Sequence, residues 1–152
     1  MENKIQLKNE LLEACRKKQQ SLIDDFQLRL HELKGVRDLD DEDINSGNRR
    51  VFDQSEYNSL FQALDFAEAE MGILSYLSSK GEKLNETVEL GSVVITNLAT
   101  FFVSVSIEQF SSQGKDYLGI STHSPLFIVM RGLKRGDNFQ YDGKEYTIKD
   151  VF

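Results

Sequence analysis

From Ile5 to Leu33 the apolar residues Ile5, Leu12, Cys15, Leu22, Phe26, Leu30 and Leu33 recur at intervals of three, four or seven, with charged residues between them. No glycine or proline interrupts the segment before Gly35. This is helical periodicity, and about 30 residues at 1.5 Å each give a rod of roughly 45 Å. A second stripe, Leu60, Leu64, Ala67, Met71 and Leu74, follows with gaps of four and three. Neither helix can hide its stripe alone, but paired antiparallel they bury each other's seam positions. A helical hairpin is therefore expected over residues 1–80. A dimeric coiled coil is the competing arrangement, because Tyr57, Phe61 and Phe66 widen the apolar face.

Gly35 reads as a helix stop, which makes Val36 to Asp53 the tip. Asp38, Asp40, Asp41, Glu42 and Asp43 place five carboxylates there, followed by Asn45, Ser46, Gly47 and Asn48, which do not sustain a helix. The second helix is announced by Asp53-Gln54-Ser55-Glu56, with Asp53 or Ser55 as cap and Glu56 near the positive helix end. Net charge is −7, and the excess is concentrated: Val36 to Lys80 holds four Lys/Arg against ten Asp/Glu. Such a surface argues against direct nucleic-acid binding and favours a cation or a basic protein surface. A solvated charged turn is the plain alternative.

Ser78 to Glu82 breaks the pattern, and residues 81–152 change period. Val93-Val94-Ile95, Phe101 to Ile107, Tyr117 to Ile120, Phe139 to Tyr141 and Tyr146 to Ile148 are β-branched or aromatic runs. Asp142-Gly143 between the last two is a strong hairpin signal. The only proline, Pro125, opens Leu126 to Leu133 as a short helix. About five strands and one helix predict a small α+β domain in which an antiparallel sheet packs on a helix.

Cys15 stands alone, so the chain forms no internal disulfide and no thiolate metal cluster; it reads as a small packed residue. His31 and His123 read as surface or satisfied histidines. The polar N-terminus and the lack of a run of about 18 apolar residues leave no sign of a secretory signal or a membrane span, which makes the cytoplasm the expected location.

A hairpin with an acidic tip, followed in order by LGSVV from Leu90, LGISTHSP from Leu118 and GLKRGDNFQYDGKEYTIKDVF from Gly132, resembles the Gre family of bacterial transcript-cleavage factors. Those proteins join a coiled coil to an FKBP-like domain. The resemblance implies RNA polymerase as partner, with the hairpin reaching through the secondary channel. Tip carboxylates there help hold a Mg²⁺ shared with the polymerase, and the extruded 3′ end of a backtracked transcript is cut. It implies no metal in the free protein, no enzyme activity of its own, no sequence-specific nucleic-acid binding and a monomer. The family's tip pattern, G-D-x-x-E-N-A-E-Y, falls on Arg49 to Tyr57; Asp53, Glu56 and Tyr57 match, and Arg50 replaces the first acid. The candidate carboxylates are thus Asp40, Asp41 and Asp43, with Asp53 and Glu56. The family's docking loop falls on Ser121, Ser124 and Pro125, with Leu126 and Phe127 beyond it; the alternative is that Pro125 merely starts a helix and Leu126, Phe127 and Val129 fill the core.

Three further readings follow. The acidic run could occupy the channel and inhibit, giving a non-cleaving regulator. The FKBP-like resemblance suggests a peptidyl-prolyl isomerase or chaperone using Phe101, Phe102, Tyr117 and Phe127, although fold does not carry function. A free-standing hydrolase would need its carboxylates enclosed, and an open loop does not enclose them.

Overall fold

A computed structural model describes residues 2–42, 53–81 and 83–152. Helix α1 (Glu2–Glu42) and helix α2 (Gln54–Lys80) precede a mixed sheet of β1 (Val93–Thr96), β2 (Thr100–Ser104), β3 (Phe110–Ser112), β4 (Lys115–Ser121), β5 (Asn138–Tyr141) and β6 (Lys144–Val151), with α3 (Pro125–Met130) between β4 and β5. The fold class is α+β, a helical hairpin followed by a small sheet domain with one short helix, as expected.

Helix α1 does not stop at Gly35. It continues through Asp38, Asp40, Asp41 and Glu42, so these acids belong to a helix rather than a turn. A glycine inside a helix costs only about 1 kcal/mol relative to alanine, too little to end one that 33 preceding residues have propagated. Asp43 lies outside the described residues.

The chain divides into two compact units, Met1–Lys17 with Gly72–Phe152, and Lys18–Met71. The division expected at residues 80/81 differs, because the first residues of α1 and the last of α2 group with the sheet. Lys4 Nζ pairs with Asp150 Oδ2 at 2.9 Å, and Lys8 Nζ donates to the Lys83 carbonyl at 2.7 Å.

In the sheet-bearing unit the strand order is β3-β4-β2-β1-β6-β5. All neighbours are antiparallel except β2 and β4, which run parallel with Phe101 opposite Leu118 and Val103 opposite Ile120. The expectation of a wholly antiparallel sheet is corrected at this pair. Alternation sets the layers. Phe101 and Val103 face a core shared with Val94, Ile120, Phe127, Met130, Phe139 and Ile148. Phe102, between them, points to the face that Ile5, Leu12 and Leu77 cover. Phe139 and Tyr146 stack across β5 and β6 at 4.8 Å, and the Asp142-Gly143 turn joining these strands has both residues at positive φ, 53° and 74°.

In the Lys18–Met71 unit the two helical segments pair antiparallel. Gln19 Nε2 donates to the Ala67 carbonyl at 2.9 Å in a buried position, while Arg29, Glu32 and Leu33 border a groove with Glu56, Ser59 and Leu60. Ile23, Leu33 and Ala67 are buried with Gln19 and Glu70. Leu22, expected on the seam, is 41% exposed, and its neighbour Ile23 takes the place.

Candidate functional site

The acidic region and the loop before α3 are the two places the sequence marks. Asp53 is the cap of α2: its Oδ1 accepts from the backbone N–H of Ser55 at 2.9 Å and of Glu56 at 3.2 Å. A cap satisfies helix N–H groups that have no intrahelical partner. One Asp53 oxygen is therefore committed to the fold. Glu56, three residues on, is exposed in the first turn of α2, where a carboxylate is favoured by the helix dipole. Asp40 and Asp41 fall in the last turn of α1, which contains no basic residue. The side chains of Asp40 and Asp41, like all of Asp43, lie outside the described residues. Among the described residues no group of three or more His, Cys, Asp or Glu converges as a metal site.

The loop before α3 is built by short-range bonds. Ser121 Oγ accepts from His123 N–H at 3.1 Å, Ser124 N–H donates to the Ser121 carbonyl at 3.1 Å, and Ser124 Oγ accepts from Phe127 N–H at 3.1 Å. Ser124 is the cap and Pro125 fills the first turn, where its missing N–H costs nothing. The expected docking residues divide. Phe127 is 8% exposed and belongs to the core, and Leu126 packs against that core in part. Pro125 is exposed; Val129, expected in the core by the alternative reading, is 42% exposed, and Ile128, which sequence reasoning did not single out, is 54% exposed. Helical spacing carries the missed signal: with Phe127 and Met130 inward, Ile128 and Val129 must turn outward.

Of the aromatic residues proposed for an isomerase pocket, Phe102 and Tyr117 border different recesses. Phe101, Phe127 and Tyr117 are buried, and Tyr117 stacks on Phe110 at 5.7 Å. Burial and the nearby Glu10 carboxylate push the Tyr117 phenol up. Cys15 is buried, while His31 and His123 are exposed. Among the described residues no helix is long and apolar enough to cross a membrane.

No protein-family model matches the sequence, and no curated protein matches it. Among solved structures, the chain is similar to the crystal structure of Thermus aquaticus Gfh1, with 19% identity and a TM-score of 0.34 over 91% of this chain and 94% of that one. At those values the likeness carries no conclusion about activity.

Proposed function

We propose that this protein binds RNA polymerase, enters its secondary channel with the helical hairpin, and stimulates cleavage of backtracked RNA. What supports the reading is the acidic run of the sequence, Asp38 to Asp43, of which Asp38, Asp40, Asp41 and Glu42 lie at the end of α1, in a chain whose second half resembles the Gre family in its order of motifs. The hydrolytic activity would be the polymerase's own, in the cytoplasm, with this protein acting as a monomer.

The donors suit the cation. Asp40, Asp41, Asp43 and Glu56 offer only oxygen, as Mg²⁺ prefers, and Asp53 keeps one carboxylate oxygen beyond its capping bonds. Bound beside the polymerase's own ion, Mg²⁺ would stabilise the attacking and leaving oxygens of phosphodiester hydrolysis. The chain's part is to bring the carboxylates on a stiff support and to hold Asp53 and Glu56 in register through the α2 cap. Docking would use Ser121, Ser124, Pro125 and the outer side of α3, with Leu126 at its margin and Phe127 supporting from the core.

Arg50 at the family's first acidic position favours a second reading, a regulator that occupies the channel without promoting cleavage. Stalled, backtracked elongation complexes incubated with the protein and Mg²⁺ separate the two. Shortened RNA, lost when Asp40, Asp41 and Asp43 become Asn and kept in Cys15→Ser, supports cleavage. Slowed elongation without shortening, relieved by the same Asn changes, supports the regulator. Failure to bind polymerase at all sinks both.

A further inference from the structure

Beside the sheet face that carries Phe102, the sheet-bearing unit contains a partly enclosed recess of about 50 Å³. Its inner wall is apolar, from Ile5, Leu12 and Phe102, and its rim carries Lys8, Lys80 and Lys83, with no carboxylate among the described lining residues. Three lysines lining one opening are unexpected in a chain of net charge −7, although the Lys80 ammonium lies 5.9 Å from the Tyr76 ring centroid. Gly91 keeps the recess open: at its φ of +94° other residues are strained, and a Cβ there would come within 3.3 Å of Leu77.

The rim is held in place by the fold. Lys8 Nζ donates to the Lys83 carbonyl at 2.7 Å. With its amide turned so that nitrogen faces Glu89, the buried Asn85 donates to Glu89 Oε1 at 2.8 Å and accepts from Lys8 Nζ at 3.1 Å. Two of the three Lys8 N–H groups are thereby used and one remains for a ligand. Glu89 meets Lys83 at 3.5 Å, and among the described residues it is the carboxylate that the rim lysines share. Burial first, then repulsion from Lys83 and Lys80 offset in part by Glu89, lowers the Lys8 ammonium to about 8. A half-buried cation without a full counter-charge destabilises the fold that contains it, and such groups concentrate where a ligand supplies the missing charge.

We propose that this recess binds a small organic anion, a carboxylate or phosphate monoester with a short aliphatic group, its charged end on Lys8, Lys80 and Lys83 and its apolar end against Ile5, Leu12 and Phe102. The size of the recess restricts the apolar part to a few carbons, since a cavity of roughly 150 Å³ is needed for a benzene ring. The inference is independent of polymerase binding and uses none of the tip carboxylates.

The test is amide-resolved NMR titration of the full chain with isovalerate and with n-butyl phosphate. The expected result is saturable shifts at Lys8, Asn85 and Gly91, with acetate, inorganic phosphate and isoamyl alcohol at least tenfold weaker. Lys8→Gln and Lys80→Gln should each weaken binding by about tenfold or more, the range for losing a hydrogen bond to a charged group. Lys144→Gln, on the β5–β6 hairpin, should leave it unchanged. Shifts that do not saturate, that spread over surface lysines, or that persist undiminished in a folded Lys8→Gln protein would overturn the assignment.

Discussion

The sheet-bearing unit and the Lys18–Met71 unit are held by different kinds of interaction. In the first, order comes from partners far apart in sequence: β1 pairs with β6, β2 with β4, and side chains from β1, β2, β4, α3, β5 and β6 meet in one core. In the second, each helix satisfies its own backbone, and side chains along one seam hold the segments together. That seam buries Gln19 and Glu70 as well as Ile23, Leu33 and Ala67, while Leu28, Phe61 and Phe66 stand exposed. Gln19 also gives the seam a register, because sliding one helix would separate its amide from the Ala67 carbonyl.

The contrast can be broken first in the core. Phe101→Ala removes a ring that is 1% exposed and packs 6.1 Å from Tyr146, and it should cost about 3–5 kcal/mol in urea unfolding followed by aromatic signals. If helical ellipticity disappears in the same transition by the same amount, the two regions are one cooperative unit and the contrast fails. Gln19→Ala should cost about 1–3 kcal/mol, through loss of a buried hydrogen bond, and should speed amide exchange in Lys18–Met71 while leaving β1 and β6 protected. Ser124→Ala should cost about 1 kcal/mol, read as faster exchange of the Phe127 amide.

The smallest expected change has the opposite sign. With Lys8 at about 8 in the folded chain and 10.5 as its ordinary value, its burial cost is fully present below pH 8. From pH 8 to 10.5 the unfolded chain binds the extra proton, so wild-type stability rises across that window. Lys8→Met should therefore unfold at a higher temperature than wild type at pH 7, and the advantage should vanish by pH 10.5. The gain is limited because Lys8 stays partly in water and because the variant loses the bond that Lys8 makes to the Lys83 carbonyl. An equal or lower midpoint at pH 7 would show that the three cations are not in conflict with the fold.

Local chemistry was legible where it is decided locally. Asp142-Gly143 needs two residues at positive φ and has them, and Pro125 sits behind a serine cap as its missing N–H requires. Cys15 is packed, as its seam spacing predicts. What escaped depends on tertiary partners. Ile23 and Leu22 satisfy helical spacing almost equally, and only the facing helix decides between them. Strand β3 has three residues, too few to show alternation, and the parallel β2–β4 pair has no turn to announce it. Gly35 reads as a helix stop in the sequence, but a glycine ends a helix only where it takes the αL conformation of a C-cap, and α1 runs on through it. The recess rim was illegible for a similar reason, since Lys8 and Lys83 are 75 positions apart.

The place of β6 in the sheet has a kinetic consequence. It lies between β1 and β5, and Val93 and Phe152 exchange backbone hydrogen bonds in both directions, at 2.7 and 3.0 Å. Closing that contact joins residues roughly 60 positions apart, which is slow relative to helix formation on the microsecond scale. During synthesis at about 5–20 residues per second, roughly 50 residues separate the appearance of β1 from that of β6. For several seconds the nascent chain therefore carries formed helices beside an unpaired Val93-Val94-Ile95 edge, and it is then, rather than in the finished protein, that this sequence is most exposed to aggregation.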